Sequence, residues 1–243
     1  MSDIMKVSWS GGKDSSCAVM KHLELGHKVK AVCYIPMFTE EIPFICKNHY
    51  EFILRTADKF RALGAEVHIV TGETYFHFVL RRSSRGKFKG RMFGFPLFQS
   101  GKCGFKRDSK IKALDSLDIG YYDYEDIGIA ADEVARHGQL NDKKRSILCE
   151  LGMTEQDAKE YDILHDILSP HYDYNTRDGC ALCPNAKLAE RESDGLTTTR
   201  KRYLWCCIYS KKLSENDLIC SLYESIGGFL KTNTVSLCHA PSG

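Results

Sequence analysis

The feature that most restricts this chain is Ser10-Gly11-Gly12-Lys13-Asp14-Ser15-Ser16, set between an apolar run at residues 5–9 and a helix-like run at residues 15–25. A strand that passes through a small-residue turn straight into a helix builds an anion cradle, because backbone N–H groups face the ligand and the helix dipole adds positive charge. The ligand this predicts is a nucleotide phosphate. Two familiar phosphate loops are excluded by spacing. The pattern G-x-x-x-x-G-K-[ST] requires glycine at position 7 and Ser or Thr at 14, where the chain has Val7 and Asp14. The pattern G-x-G-x-x-G fails because the glycines are adjacent. Within the loop, Gly11 and Gly12 permit close backbone approach, Lys13 supplies a point charge, and the Ser10, Ser15 and Ser16 hydroxyls can donate hydrogen bonds. Asp14 would face away from the phosphate, cap the helix or help to hold Mg2+.

The first half of the chain reads as alternating strand and helix. Strands are predicted over residues 5–9, 28–35 and 66–70, with helices over 15–25 and 47–63 that end at Gly26 and Gly64. Repeated crossovers of this kind imply a parallel sheet covered by helices on both faces, with ligand at the carboxyl ends of its strands. Periodicity fails over residues 71–99, which read as a long functional loop or lid with short helical pieces. Residues 109–117 look helical and residues 126–130 form a further strand. Thr154-Glu155-Gln156-Asp157 offers an N-cap and acidic first turn to a helix over 154–168, stopped by Pro170. At strand ends, Tyr34, Gly128 and Asp132 are candidates to complete the nucleotide site. Arg136 is a candidate clamp for phosphate or sulfate, and Asp132 and Glu133 for Mg2+ or ribose; helix capping with an exposed salt bridge is the alternative for this acidic group.

The chain of 243 residues, 43% apolar, is long enough for a sizeable core. It has no run of about 18 uncharged apolar residues and no secretory h-region at its start, so the expectation is a cytoplasmic protein without a membrane span. A net charge of +2 does not by itself argue for nucleic acid. Its distribution says more: Arg81, Arg82, Arg85, Lys87, Lys89 and Arg91 are continued by Lys102, Lys106, Arg107, Lys110 and Lys112. This stretch would receive a polyanion or be a solvated loop.

Eleven cysteines in such a chain point to reduced thiols, some of them bound to metal, rather than to a disulfide framework. Cys180-Ala181-Leu182-Cys183 directs two sulfurs to one side of a turn, and Cys103, in a basic glycine-containing loop, is the third candidate ligand. Cys17, Cys33 and Cys220 fall at apolar periodic positions and read as core.

The hexapeptide SGGKDS resembles the PP-loop of the ATP pyrophosphatase, or adenine nucleotide alpha-hydrolase, superfamily. With Gly94-Phe95-Pro96, Cys103, the Ile127-Gly128-Ile129-Ala130-Ala131-Asp132-Glu133 segment with Arg136, and Gly179-Cys180-x-x-Cys183-Pro184, the order resembles the phosphoadenylyl-sulfate (PAPS) reductase-like family over residues 6–184. The resemblance implies a HUP-like three-layer α/β/α fold. Residues 1–140 would form the nucleotide-binding domain, and residues 141–243 a mostly helical region carrying the C-x-x-C element. It implies that Ser10 to Ser16 hold ATP, cleaved between its alpha and beta phosphates with Mg2+, or adenylyl sulfate (APS) or PAPS instead. Lys13, Asp14 and Arg136 would act in catalysis. It further implies a [4Fe-4S] cluster on Cys103, Cys180 and Cys183, with Zn2+ as the alternative should a fourth thiolate from Cys149, Cys206 or Cys207 come near. Cys103 lacks the tandem cysteine of APS reductases, since residue 102 is lysine, and Leu237-Cys238-His239 lacks the reductases' surrounding C-terminal motif. Adenylation-coupled sulfur transfer is therefore expected ahead of sulfite-producing reduction or a non-catalytic nucleotide or nucleic-acid module. The acceptor is left open, with a nucleic acid held by the basic stretch as one option and a homodimer as another.

Overall fold

The computed structural model describes residues 3–45, 47–90, 103–173 and 179–180. It divides the chain into one unit of residues 1–77 and 98–180 and a second of residues 78–97 and 181–243.

The first unit is built on five parallel strands: β1 (Ile4–Trp9), β2 (Lys28–Tyr34), β3 (Glu66–Val70), β4 (Tyr124–Ile127) and β5 (Lys144–Arg145). They lie in the order β3-β2-β1-β4-β5. Successive connections run outward from β1 through β2 to β3, and the chain then returns to place β4 on the other side of β1. The direction of winding therefore reverses between β1 and β4, which is where sheets of this kind bind ligands. Helices α1 (Lys13–Glu24), α2 (Lys47–Ala62), α3 (Tyr75–Leu80), α4 (Lys112–Asp115), α5 (Ile147–Glu150) and α6 (Glu155–Leu164) complete the order.

One face of the sheet carries the main core. Met5, Val7 and Trp9 alternate with Lys6 and Ser8 along β1, and their register partners Val29, Ala31 and Cys33 share their face. Against them pack Cys17, Ala18 and Val19 of α1, Phe52, Ala57 and Phe60 of α2, and Ile147, Leu148 and Ala158 of α5 and α6. Trp9 joins the two crossover helices: its ring meets Phe60 edge-on at 5.1 Å, and its indole N–H donates to Ser16 Oγ at 3.0 Å. Cys17 and Cys33 are fully buried here, as their spacing predicts.

The other face is more polar than the expectation of a doubly covered parallel sheet suggests. Lys6 lies 3.3 Å from Glu125, which also accepts from Ser8 Oγ, and Lys30 donates to the carbonyl of Ile119. Tyr34 on this face meets Ser109 in a π-helical segment, Lys106–Ile111, that runs directly into α4. Helical segments therefore lie along both faces, as in a three-layer α/β arrangement.

Local chemistry explains most element ends. Gly26 and Gly64 take positive φ after α1 and α2. A capping box of Thr154 and Asp157 opens α6. The stretch predicted as a loop with short helical pieces, residues 71–99, holds the short helix α3, whose Tyr75 stacks on Phe44 at 4.2 Å and meets Phe105 edge-on at 5.3 Å. Helix α6 stops at Leu164, four residues before the predicted end, where Asp166 takes φ 50°.

Where winding reverses, Gly128 follows β4 and lies against the first turn of α1. A Cβ there would come within 2.7 Å of Ser15 N and 2.9 Å of the Asp14 carbonyl carbon, both backbone atoms that cannot swing aside. Gly128→Ala should therefore lower unfolding free energy by about 1–3 kcal/mol in urea titrations. Gly138→Ala, where a Cβ meets nothing within 4 Å, should change it by less than about 0.5 kcal/mol.

Candidate functional site

The loop between β1 and α1 is held open by glycine. Gly11 takes φ 80°, and a Cβ on it would come within 2.7 Å of Ile53 Cγ1 and 2.9 Å of His49 Cε1, so a side chain is barred by conformation and by space. Gly12 stands at the N-cap of α1 without a side-chain cap. The serines hold the loop itself. Ser15 Oγ donates to Gly12 O at 3.0 Å and accepts from Ser10 N at 3.1 Å, Ser10 Oγ accepts from Gly12 N at 3.3 Å, and Ser16 Oγ lies buried under Trp9.

The backbone N–H and the ammonium of Lys13 both meet protein acceptors. Its backbone N–H donates to Tyr172 Oη at 3.0 Å, and its ammonium donates to Glu155 Oε2 at 2.7 Å and to Asp14 at 2.9 Å. Burial alone would depress the Lys13 pKa, but the hydrogen bonds and charges of Glu155 and Asp14 outweigh it and raise it. Asp14 is also pushed up, first by burial, with Lys13 opposing and the charges of Glu155 and Glu133 adding to the rise. Asp132 joins this group through Glu155, whose N–H donates to Asp132 Oδ1 at 3.0 Å. Arg136 is held by both carboxylate oxygens of Glu133 at 2.7 Å, an exposed pair beside the site.

Behind the loop, Ser169 Oγ lies 2.8 Å from His49 Nδ1 and 2.9 Å from His171 Nδ1, all three residues buried. This polar chain ties α2 to the short turn Pro170–Asp173 that carries Tyr172. On α6, Asp162 is fully buried and neither carboxylate oxygen has a hydrogen-bond partner. Burial, reinforced by the negative charge of Asp14 and opposed by Lys13, pushes its pKa up to about 9, so at neutral pH it is a neutral acid. None of Glu155, Tyr172, Ser169 and Asp162 stands out in the sequence as a site residue; only the capping box marks where Glu155 begins a helix.

A second group lies one strand away. Tyr34, at the carboxyl end of β2, follows Cys33, the register partner of Trp9. Its hydroxyl donates to Ser109 Oγ at 2.6 Å, which in turn donates to Glu73 O. Burial raises the Tyr34 pKa to about 12, the Ser109 bond opposes this, and the charges of Cys180 and Cys103 add to it, so both thiols lie within electrostatic reach of one hydroxyl. Cys103 Sγ accepts from Lys106 N at 3.3 Å. Cys183, Cys206 and Cys207, like Arg91 and Lys102 of the basic stretch, lie outside the described residues. Cys149 belongs elsewhere: its sulfur is 3.3 Å from Ile129 O and 3.5 Å from His137 Nε2, at the end of β4. Among the described residues no group of three or more His, Cys, Asp or Glu side chains is gathered around a point a metal would take. In the basic stretch, Arg107 and Lys112 share Asp108. Among the described residues no helix is long and apolar enough to cross a membrane.

The chain matches no protein-family model and no curated protein. What is established is a five-stranded parallel sheet with helices and, where its winding reverses, a glycine-built turn that opens a helix.

Asp162 gives this site a pH signature. Its folded pKa stands above the ordinary 3.8, so the folded state holds a proton that the unfolded chain releases. Its contribution to stability is complete below about pH 4 and declines as pH rises toward about 9. Asp162→Asn, which stays neutral, should leave thermal stability nearly unchanged at pH 4. At pH 8 it should raise stability by at least about 1 kcal/mol, the equivalent of a single pKa unit, as read from urea titrations at the two pH values.

Proposed function

We propose that the chain is a PP-loop enzyme of the PAPS reductase-like kind, on a HUP-like three-layer fold, that binds ATP at residues 10–16 and couples adenylation of an acceptor to sulfur transfer. The observation that carries this reading is the Gly11-Gly12 turn at the winding reversal. Its backbone and the start of the 12-residue α1 offer N–H groups and a positive dipole end to an anion, with the Lys13 ammonium beside them.

The chemistry follows from those donors. An acceptor oxygen attacks the alpha phosphorus of ATP, the bond from that phosphorus to the bridging oxygen breaks, and pyrophosphate leaves with the electron pair. Lys13 and the first-turn amides offset the charge that grows on the leaving group, the role in which preorganised donors contribute most. A sulfur nucleophile then displaces AMP from the activated acceptor. Asp14, with Asp132 close by through Glu155, supplies the oxygen ligands that Mg2+ prefers. Gly128 lets β4 pack directly on the first turn of α1, and Arg136 would reach the nucleotide only by leaving Glu133.

Cys103 and Cys180 supply soft donors that both act on Tyr34, a donor set suited to iron–sulfur or zinc. With Cys183 they would hold a [4Fe-4S] cluster, whose chemistry is to bind and deliver sulfur. The basic run between residues 81 and 112 of the sequence suits a polyanionic acceptor such as a nucleic acid.

Two measurements test this. By calorimetry the protein should bind MgATP, and Lys13→Ala should weaken binding about 10- to 100-fold, the worth of one charge-assisted contact; absence of binding would remove the nucleotide reading. Anaerobically purified protein should carry about four irons and four sulfides, lost in Cys180→Ala. Zinc or no metal would reduce Cys103, Cys180 and Cys183 to structural residues. Sulfite production from APS or PAPS would select the reductase chemistry instead, and nucleotide binding with salt-sensitive nucleic-acid binding but no turnover would select the non-catalytic module.

A further inference from the structure

We propose that the cradle carries its own competitor: Tyr172 takes the backbone amide of Lys13 and Glu155 shares its ammonium with Asp14, and both must yield before a phosphate can bind. The inference rests on reading the loop as a phosphate site, and it identifies what keeps that site closed without ligand.

The geometry is that of an internal anion mimic. A phosphate in a cradle of this kind takes its first oxygen from the amides at the helix start and a second from the lysine ammonium. Here the Tyr172 hydroxyl accepts from the Lys13 amide at 3.0 Å, and it lies 3.3 Å from the point where a Cβ on Gly12 would stand. The Glu155 carboxylate sits 2.7 Å from the ammonium. A neutral oxygen and a charged oxygen from two separate elements thus fill the places of two phosphate oxygens.

Each contact can be exchanged for one with a phosphate oxygen. The Glu155 side chain is 48% exposed, so water replaces its partner when Lys13 turns away. Tyr172 stands on the four-residue turn Pro170–Asp173, where its ring packs on His171 at 4.0 Å. Ser169 is tied to His49 and His171 inside the protein, and the hydrogen bond by which the Tyr172 hydroxyl meets the Lys13 amide joins two neutral groups. Asp14 behaves differently, because it neighbours Lys13 in sequence and stays close whichever way the ammonium points.

The test is calorimetric titration of the full chain with inorganic pyrophosphate, comparing wild type with Tyr172→Phe, Glu155→Gln and the double variant. Tyr172→Phe removes only an oxygen and Glu155→Gln only a charge at a surface position, and matching circular dichroism spectra establish that each variant is folded. Each single variant should bind pyrophosphate about three- to tenfold more tightly than wild type, as expected when one competing hydrogen bond is removed, and the double variant more tightly still. Equal affinity in the variants would overturn the competition. Weaker affinity would overturn it too and make Tyr172 and Glu155 supporting parts of the site. If neither wild type nor any variant binds pyrophosphate, the phosphate reading of the loop fails and the competition with it. Wild-type binding without a gain in the variants removes the competition alone.

Discussion

The approach of Gly128 to the first turn of α1 is the constraint on which the rest of the site depends. Strand β4 can stand beside β1 only if its exit presents no side chain to Ser15 N and the Asp14 carbonyl carbon. Two residues earlier, the same strand buries Asp126, whose Oδ2 accepts from Ile147 N at 2.7 Å and lies 2.9 Å from His22 Nε2. Helix α1 is therefore held by β4 at two levels, at its first turn by contact with bare backbone and near its end by a buried polar pair. A helix held at both ends presents its N-terminus in one orientation, and the proposed use of the turn before it as an anion cradle depends on that orientation.

Electrostatics then limit what the cradle will accept. One ammonium, Lys13, is shared by Asp14 and Glu155, with Asp132 and Glu133 close by and Asp162 buried behind. Burial raises both Asp14 and Asp162, so the site disfavours ionised carboxyls, and Asp162 stays neutral at neutral pH. A polyphosphate arriving here adds more negative charge. Its binding must bring a cation with it or draw Lys13 away from the carboxylates, since like charges at a few ångströms disfavour the ionised state of each. Either event changes the partners of the same few side chains, so affinity at this loop is a property of the whole cluster.

What the sequence reveals is what is local. Strands β1 to β3 and helices α1 and α2 fall within about two residues of their predicted bounds, because their periodicity and terminal glycines are written in short windows. The loop is legible for the same reason. Strand β5 and helix α5, two and four residues long, are too short to leave a period. The polar face of the sheet is written in the alternation of Lys6 and Ser8 but is masked by the apolar residues between them. Glu155 and Tyr172 lie 142 and 159 residues from Lys13, and nothing within the window of either says which loop it will meet. Cys149 shows the opposite failure: a cysteine invites pairing with other cysteines, and only the fold sends it to His137 and the carbonyl of Ile129.

Parallel topology also relates the two chemistries of the proposed reaction. All carboxyl ends of a parallel sheet lie on one edge, and adjacent strands stand about 4.8 Å apart. The Gly11-Gly12 turn follows β1, and Tyr34, whose pKa the charges of Cys180 and Cys103 help to raise, ends β2, the direct neighbour of β1. A nucleotide whose phosphates sit at residues 10–13 therefore lies within a few ångströms of the β2 end without any further element to span the distance. Displacement of AMP by sulfur requires the reacting atoms to come within about 3–3.5 Å. The hydroxyl that feels the charges of both thiols stands at the end of the strand beside the one the turn follows, so thiols acting there would be nearer the turn than thiols at the far edge, beyond β3 or β5. The position of Tyr34 thus matters more to the sulfur-transfer reading than the number of cysteines in the chain.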